Sequence, residues 1–481
     1  MTDALLDEIA RSEHGPRTAA FFDFDGTLID GYSAAAFLSS RARGGEMPAG
    51  EALRLLRAGL DMRAGRAQFD EFMRVGVQAF RGHDERTLGR LGERLLKDTL
   101  GGLLFAEMVE VIAAHRRMGH RLVIASSALP FQVEPLAREL GFSDVLCTRL
   151  EAVGDVYTGR VAGPVLWGPG KAAAVRAFAA DAEIDLDRSF AYGNGEEDID
   201  FLAVVGRPHP VNPAPELAVE AERRGWPVTR CGARGRPGVQ AVARTLVAYS
   251  ATLSAFGAGV GLGLLRGNRR RGVEFTTSVG SDLALGLGGV SLNVTAAENL
   301  DKQRPAVFIF NHQSILDGFI VMKLVRHDIT GVGKQELSEQ PGIGHFLRWA
   351  DVALIDRANT ASAVVALAPV VERLRAGYSI LIAPEGTRSP TPTMAAFKKG
   401  AFHMAMQGEV PIVPIVIRNA GEHLPPGAKV MRPGTVDVHV LEPISVADWT
   451  PETLSERVAE VRERFVRTLA DWPRRHPARP M

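Results

Sequence analysis

The sequence has few cysteines, no excess of charge of either sign and no apolar leader. Its two cysteines, Cys147 and Cys231, lie far apart and match no metal-binding spacing, so we expect a reduced, intracellular compartment. The 56 basic and 56 acidic residues cancel, so the net charge favours neither a nucleic-acid partner nor an acidic tail, and no nucleic-acid partner is predicted. Residues 1–17 carry several charges without an apolar core, so no signal peptide is predicted.

The chain does have the length and composition of a multidomain globular protein. Its 481 residues are 46% hydrophobic and 23% charged, and they are too many for one ordinary core. A stretch rich in Pro, Gly and Arg, residues 208–237, is typical of a domain edge and linker. We therefore expect two or three domains, with a linker at about 221–243.

The first motif that carries chemistry is D-F-D-G-T-L at residues 23–28, directly after a short apolar run. Two carboxylates on a tight loop after a strand suit phosphoryl transfer. Asp23 would attack phosphorus, and Asp25 would move the proton of the leaving group. A Mg²⁺ ion would neutralise the crowded charges. An acidic turn without activity is the plain alternative.

Three further pieces follow in order. Ser126 ends a predicted strand and can bond a phosphate oxygen, and Lys171 follows a Gly-Pro-Gly turn at a predicted helix start. The loop at residues 193–198, G-N-G-E-E-D, offers oxygen ligands to a metal. Taken singly, Ser126 and Lys171 would be ordinary surface residues, but their order at strand ends points to one phosphate site.

Residues from about 18 to 215 resemble the haloacid dehalogenase superfamily of phosphatases, in the phosphoserine phosphatase-like branch. The resemblance implies a Rossmann-like α/β domain at 1–220 with a helical cap at about 31–100. It implies these roles for the site: Asp23 as nucleophile, Asp25 as acid and base, Ser126 and Lys171 as phosphate ligands, and Asp23, Asp25, Asn194 and Asp198 as the Mg²⁺ site.

Two positions depart from that family. Asn194 stands where an Asp is usual, so one negative charge fewer faces the metal and weaker Mg²⁺ binding is predicted. Tyr32 stands where true phosphoserine phosphatases carry a Glu for the substrate amine, which argues against phosphoserine as substrate. A regulatory domain that binds a phosphorylated metabolite without turnover stays open.

The connector at 244–297 is predicted to be a helical segment that associates with a membrane. Residues 245–265 carry no charge, and about 20 apolar residues are the minimum for a bilayer span. Their small residues allow close helix packing. Four arginines within 266–271 suggest the cytoplasmic face or a patch for anionic lipid. The second apolar stretch, 279–294, suggests a re-entrant or interfacial segment. One span, two spans, surface association and a pair of buried helices all stay open.

The motif of the C-terminal part is Asn311-His312-x4-Asp317, after an apolar run at 306–310 that predicts a buried strand. A neutral imidazole can take a proton from a hydroxyl if a partner fixes its tautomer. Residues five apart on one helix point about 140° away from each other. We therefore expect His312 before the helix and Asp317 in its first turn. A core histidine beside an N-cap-like Asp is the alternative for the pair alone.

Three more segments follow. Residues 353–357 form an apolar run ending in Asp-Arg, residues 379–389 a strand ending in P-E-G-T-R-S, and residues 410–417 an apolar run with two prolines. Guanidinium groups such as Arg357 and Arg388 suit a phosphate, and Gly386 lets the backbone approach a ligand.

These four pieces resemble the lysophospholipid acyltransferase family over about residues 298–420. The resemblance implies an α/β glycerolipid acyltransferase domain at 298–481. At its C-terminal end an apolar stripe with charged residues opposite predicts an amphipathic helix, formed by Leu454, Val458, Val461, Phe465 and Leu469. It implies His312 and Asp317 as catalytic residues. It also implies a set of residues that hold the acceptor phosphate: Arg357, Glu385, Gly386, Thr387 and Arg388.

Our leading hypothesis is a membrane-associated chain with two activities, at the cytoplasmic face of the cell membrane. The C-terminal part would transfer an acyl group from acyl-CoA or acyl-carrier protein to lysophosphatidic acid, and the N-terminal part would hydrolyse a phosphomonoester with Mg²⁺. The alternative is an acyltransferase for another lysolipid, with a weak or regulatory N-terminal domain. The phosphatase substrate and the oligomeric state are left open.

Overall fold

The computed structural model describes residues 2–45, 69–232, 237–334, 343–350, 352–355 and 369–472, with the single positions 47, 50, 57 and 339. The chain divides into two compact units, Met1–Gly235 and Arg236–Met481. Among the described residues, each unit has a mainly parallel sheet and hydrophobic clusters of its own. The expected α/β class is confirmed.

The sheet of the first unit is parallel throughout its described strands, in the order β3-β2-β1-β6-β7. Strand β1 is fully buried, with Phe21 in the cluster on one face and Phe22 in the cluster on the other. Its strands are β1 (Ala19–Phe22), β2 (Arg121–Ser126), β3 (Asp144–Cys147), β6 (Phe190–Gly193) and β7 (Arg207–Pro210), beside the hairpin β4 (Arg149–Val153) and β5 (Val156–Ala162). Because β1, β2 and β6 are parallel neighbours, the loops after them leave from the same edge.

Helices surround this sheet and cover part of the predicted cap region. Those described are α1 (Thr2–Ala10), α2 (Ser33–Arg43), α3 (Phe69–Gln78), α4 (Glu85–Asp98), α5 (Ala106–Arg117), α6 (Pro130–Glu139), α7 (Pro169–Asp181), α8 (Ile199–Leu202) and α9 (Pro215–Arg224). The cap predicted at about 31–100 includes α2, α3 and α4, and much of the segment between α2 and α3 lies outside the described residues.

The second unit has a larger sheet, in the order β11-β10-β12-β9-β13-β14-β8. All described pairs are parallel except β13 with β14. Its strands are β8 (Val290–Thr295), β9 (Val307–Phe310), β10 (Ile329–Lys334), β11 (Ala353–Ile355), β12 (Ser379–Ile382), β13 (Ile412–Ile417) and β14 (Gly434–Val440). The strands predicted from the apolar runs before the C-terminal motifs are confirmed.

The helices of this unit begin with two long ones. They are α10 (Val239–Leu265), α11 (Arg269–Gly288), α12 (Leu316–Val325), α13 (Ile343–Trp349), α14 (Gly400–Gly408), α15 (Ala420–His423) and α16 (Leu454–Ala470). The predicted apolar stripe of α16 is confirmed, since Leu454, Val458, Val461 and Phe465 are buried.

The predicted helical connector 244–297 is wrong at its C-terminal end. Residues 290–295 form β8, which pairs with β14 in the sheet and is not an interfacial segment. The physical reason is visible in the sequence: in V-S-L-N-V-T every second residue is apolar, and only those positions turn inward. The longer apolar composition around this run hid its period of two.

Two candidate active sites

The His–Asp pair of the second unit lies where its sequence spacing predicted. Asp317 is in the first turn of α12, and His312 precedes that helix, after β9. The imidazole Nδ1 and Asp317 Oδ2 are 2.9 Å apart. The Asp317 side chain is 1% exposed and that of His312 is 25% exposed. The carboxylate is thus sealed while the imidazole reaches solvent.

Backbone donors fix the orientation of Asp317. Its Oδ2 also accepts hydrogen bonds from the backbone N–H of Gln313 and Ser314, each at 2.7 Å. A carboxylate accepts at Nδ1 of His312, so the network assigns the proton to Nδ1 and leaves Nε2 with a lone pair. His312 is therefore arranged to act as a base through Nε2.

Asn311 holds the loop of His312 against the neighbouring strand. Its Nδ2 donates to the backbone O of Ile417 at 2.7 Å, and its Oδ1 accepts from the backbone N of Ile417 at 2.8 Å. The residue is 2% exposed. This amide replaces a missing sheet pairing at the end of β13, a role that the sequence motif alone did not reveal.

Glu385 differs from the phosphate ligand that the family resemblance implied. It is 3% exposed, and its Oε1 accepts from the backbone N of His312 at 2.7 Å. Its Oε2 accepts from the Ser389 hydroxyl at 2.7 Å and from the backbone N of Ala395 at 2.9 Å. Burial raises the pKa of this carboxyl, although these hydrogen bonds lower it. Glu385 therefore ties the loop after β12 to the loop of His312.

The polar side chains that follow Glu385 face outward. Thr387 and Arg388 are exposed, as is Lys398. Gly386 has φ of +79°, and a Cβ there would lie 3.0 Å from the Lys398 ammonium nitrogen. The positive φ explains why glycine is favoured there, since the end of the exposed Lys398 side chain could move away from a Cβ. Arg357, the other predicted phosphate ligand, lies outside the described residues.

The carboxylates of the first unit meet around a buried lysine. The ammonium of Lys171 is 2.7 Å from Asp23 Oδ1 and 2.6 Å from Asp198 Oδ1, and its side chain is 2% exposed. Burial alone would lower the pKa of Lys171, but ion pairs with Asp198 and Asp23 raise it. Burial also raises the pKa of Asp23 to about 7, with Lys171 acting in the opposite direction.

Asn194 contacts the loop of Asp23 through the hydroxyl of Thr27. The Thr27 Oγ1 lies 3.1 Å from Asn194 Oδ1 and 3.4 Å from Asp23 Oδ2. Gly26, with φ of +77°, leaves room for the Asn194 amide, which a Cβ would meet. The backbone N–H groups of Asn194 and Gly195 donate to Asp198 Oδ2 at 3.0 and 3.2 Å.

Asp25 and Ser126 complete the predicted set. The Asp25 carboxylate accepts from the backbone N of Ser33 at 2.7 Å and from its hydroxyl at 3.0 Å. Burial raises the pKa of Asp25 to about 6, although the hydrogen bonds from Ser33 lower it. Ser126 is 1% exposed at the end of β2, next to β1. A carboxyl that titrates near neutrality suits proton transfer in either direction.

The fit of Mg²⁺ depends on which oxygens are available. Within the described residues no group of three His, Cys, Asp or Glu side chains is placed to hold a metal. Asp23 Oδ2 and Asn194 Oδ1 converge on the Thr27 hydroxyl, whereas Asp25 and Asp198 are bonded elsewhere. Mg²⁺ takes few protein oxygens and keeps several waters. The oxygens of Asp23 and Asn194 fit such an ion. Together they carry one negative charge, whereas two aspartates at these positions would carry two.

The fold and the sites together define an α/β chain with a carboxylate–lysine centre in one unit and a His–Asp pair in the other. A family model for haloacid dehalogenase-like hydrolases matches residues 20–203, and one for acyltransferases matches residues 291–418. The chain belongs to the haloacid dehalogenase-like hydrolases through its first unit and carries an acyltransferase domain in its second.

Individual relatives match one part of the chain each. A 1-acyl-sn-glycerol-3-phosphate acyltransferase of Saccharomyces cerevisiae is 36% identical over 38% of this chain. The matched part covers 61% of the length of the yeast protein. A probable phosphatase of Mycobacterium tuberculosis is 34% identical over 44% of this chain and 75% of its own length. The crystal structure of the lysophosphatidic acid acyltransferase PlsC from Thermotoga maritima is 26% identical, with a TM-score of 0.42 over 49% of this chain and 99% of that one.

Proposed function

We propose that the second unit transfers an acyl group from a thioester to the free hydroxyl of 1-acyl-glycerol 3-phosphate, which gives phosphatidic acid. The observation that carries the proposal is the His312–Asp317 pair, with a buried carboxylate on Nδ1 and an imidazole that reaches solvent. The family match and the name of the yeast relative support the choice of acceptor.

In this reaction the nucleophile belongs to the substrate. His312 Nε2 takes the proton of the acceptor hydroxyl, whose oxygen attacks the thioester carbonyl. The bond between the carbonyl carbon and sulfur then breaks, and the thiolate leaves with the proton that the imidazolium returns. Asp317 keeps the proton on Nδ1 and balances the imidazolium charge, as the acid of a catalytic triad does. Arg388, Thr387 and Lys398, all exposed beside the loop of His312, provide the groups for the acceptor phosphate. We expect Arg357 to contribute as well.

The test is acyl transfer to lysophosphatidic acid by purified protein, with acyl-CoA and acyl-carrier protein compared as donors. We expect His312→Ala to lower kcat by about 10²–10⁴-fold and Asp317→Asn to lower it by roughly 10⁴-fold. Equal turnover by the wild type and His312→Ala would exclude the proposal. Other lysolipids offered in parallel would reveal a different acceptor, since two cationic side chains do not identify what carries the phosphate.

For the first unit we infer a phosphomonoester hydrolase. Asp23 attacks phosphorus and forms an aspartyl-phosphate while the bond to the alcohol breaks, and Asp25 gives that alcohol its proton. Asp25 then takes a proton from water, which attacks phosphorus and releases orthophosphate and free Asp23. Lys171 holds Asp23 in place, and Mg²⁺ on Asp23 and Asn194 would neutralise the phosphate charge.

Release of phosphate from a generic phosphomonoester distinguishes a hydrolase from a regulatory domain. We expect turnover that requires Mg²⁺ and is lost in Asp23→Asn. The Mg²⁺ concentration needed for half-maximal turnover should be lower in Asn194→Asp, because the new carboxylate adds a negative charge to the ligands of the ion. A wild type that binds phosphate but is as inactive as Asp23→Asn would support the regulatory alternative.

We further propose that α10 attaches the chain to a membrane. It is long and apolar enough to cross a bilayer by length and composition, and 28% of its most apolar window is buried. Its exposed residues include Leu246, Leu253, Leu264 and Leu265, at 62–89%. The arginines at the start of α11 favour the cytoplasmic face. Flotation with lipid vesicles tests the attachment, and protein that stays at the bottom would contradict it.

A further inference from the structure

Uncharged side chains flank the catalytic groups of the first unit. Tyr32 directly precedes Ser33, the partner of Asp25, and its side chain is 69% exposed. Residues 127–129 follow Ser126 and residues 165–169 lead to Lys171, and neither segment carries a charge. Within these segments Ala128, Leu129, Leu166 and Gly168 are buried. The accessible residues, which include Tyr32, Ser127, Trp167 and Pro169, carry no charge.

Aromatic rings extend this neutral surface. Phe69, at the start of α3, stacks on Trp167 with ring centroids 3.7 Å apart and an angle of 12° between the planes. Phe72 lies beside Phe69, with centroids 6.2 Å apart. All three rings are half-buried. Because Trp167 is four residues before Lys171, this stack places apolar area on the segment that carries the phosphate-binding ammonium.

A substrate with a charged leaving group fits this surface poorly. The alcohol part of an amino-acid phosphate carries an ammonium and a carboxylate, and each would lose water without gaining an opposite charge from these segments. An apolar group instead gains from covering the rings. Asp30, half-buried two residues before Tyr32, is the nearest acidic residue in this part of the sequence and provides a direct check.

We propose that the first unit hydrolyses the phosphomonoester of an uncharged, largely apolar alcohol, namely an acylglycerol phosphate. This substrate class rests on the phosphomonoesterase function proposed above. It is also the class of molecule that the second unit would use and produce. Hydrolysis breaks the bond between phosphorus and the glycerol oxygen, so water and phosphatidic acid give diacylglycerol and orthophosphate, through the aspartyl-phosphate on Asp23.

The experiment measures orthophosphate released by the full chain with Mg²⁺ from four substrates. These are p-nitrophenyl phosphate, phosphoserine, lysophosphatidic acid and phosphatidic acid, with the lipids in detergent micelles. We expect kcat/KM for at least one lipid to exceed that for phosphoserine by about tenfold or more, and Asp23→Asn to abolish both. Turnover of none of the four would reject the phosphomonoesterase itself. Turnover of p-nitrophenyl phosphate with phosphoserine equal to or better than both lipids would overturn only the substrate class.

Substitutions at Tyr32 test whether this surface selects the substrate. Tyr32→Glu places a carboxylate beside the site, so the ratio of lipid to phosphoserine turnover should fall by about tenfold, whereas Tyr32→Phe should keep it. Asp30→Asn, a matched removal of a nearby charge, should leave the ratio unchanged. A ratio that is the same in Tyr32→Glu as in the wild type, or one that rises in Asp30→Asn because phosphoserine turnover is lost, would contradict the proposal.

Discussion

At the residue scale, Glu385 is the side chain whose position most changes the interpretation of its motif. The resemblance of P-E-G-T-R to the acyltransferase motif implied a carboxylate among the phosphate ligands. In the structure it is buried, and it accepts from the backbone N–H of His312, from Ser389 and from the backbone of Ala395. The backbone of Ser389 donates in turn to the His312 carbonyl at 2.8 Å. We therefore propose that Glu385 positions the loop of His312.

The kinetics of Glu385→Gln should separate the two roles. An amide has only one acceptor oxygen, so its NH₂ group would oppose either the His312 N–H or the donors from Ser389 and Ala395. We expect kcat for acyl transfer to fall by about tenfold or more while KM for lysophosphatidic acid stays nearly constant. In Arg388→Gln, by contrast, the KM for lysophosphatidic acid should rise. A higher KM with unchanged kcat in Glu385→Gln would return this residue to the phosphate site.

The same carboxyl predicts a pH dependence of stability. Burial raises its pKa in the folded protein above the ordinary value of 4.5, so its protonated form is favoured by folding. Its contribution is present below that value and is lost as pH rises through the folded pKa. The free energy of unfolding of the wild type, relative to Glu385→Gln, should therefore decrease as pH rises from 4.5. Urea titrations at several pH values measure it, and a difference that grows with pH would contradict the assignment.

At the scale of elements, small residues determine how α10 and α11 pack. Gly259 on α10 is buried against α11, where an added Cβ would lie 2.7 Å from the backbone O of Gly272 and closer still to Thr276. Gly280 on α11 lies against the Phe256 ring of α10, and an added Cβ there would be 3.1 Å from a ring carbon. These contacts bring the two backbones together and leave the larger apolar side chains of α10 outward. The helix pair thus combines a tight internal contact with an exposed apolar face.

A comparison of two alanine substitutions on α10 tests this packing. Gly259→Ala should destabilise the second unit by about 1–3 kcal/mol, since the backbone of α11 cannot yield easily. Gly257→Ala lies two residues away, where an added Cβ would meet no atom within 4 Å. It should be neutral or stabilising by up to about 1 kcal/mol, because glycine within a helix is costly. Thermal denaturation in detergent compares them, and equal transition temperatures would show that the helices do not pack as described.

At the scale of the whole molecule, the chain places two chemistries on two separate sheets. The described contacts of Asp23 come from the first unit, and those of His312 come from the second. Each site lies where loops leave the carboxyl edge of parallel strands, at β1 beside β6 and at β9 beside β12. Each sheet therefore positions the described residues of one proposed site.

This separation predicts independent activities. Asp23→Asn should abolish phosphate release and leave acyl transfer within about twofold of the wild type, and His312→Ala should do the reverse. The described contacts of each site come from its own unit, and sites without shared partners act additively. Both rates are measured on one preparation of each variant. Loss of both activities in Asp23→Asn, with the protein still folded by circular dichroism, would show that the sites depend on each other.

The sequence by itself determined the α/β class, the strands before each motif and the relation of His312 to Asp317. Short apolar runs and the angle between helical positions are local properties that neighbouring residues fix. It missed β8, where a period of two was hidden in an apolar stretch. Only the tertiary structure decided the partners of Glu385, Asn311 and Asn194, because each bonds to residues more than 70 positions away. Such contacts depend on which strands are neighbours in the sheet, and the spacing of residues within a motif does not predict the strand order.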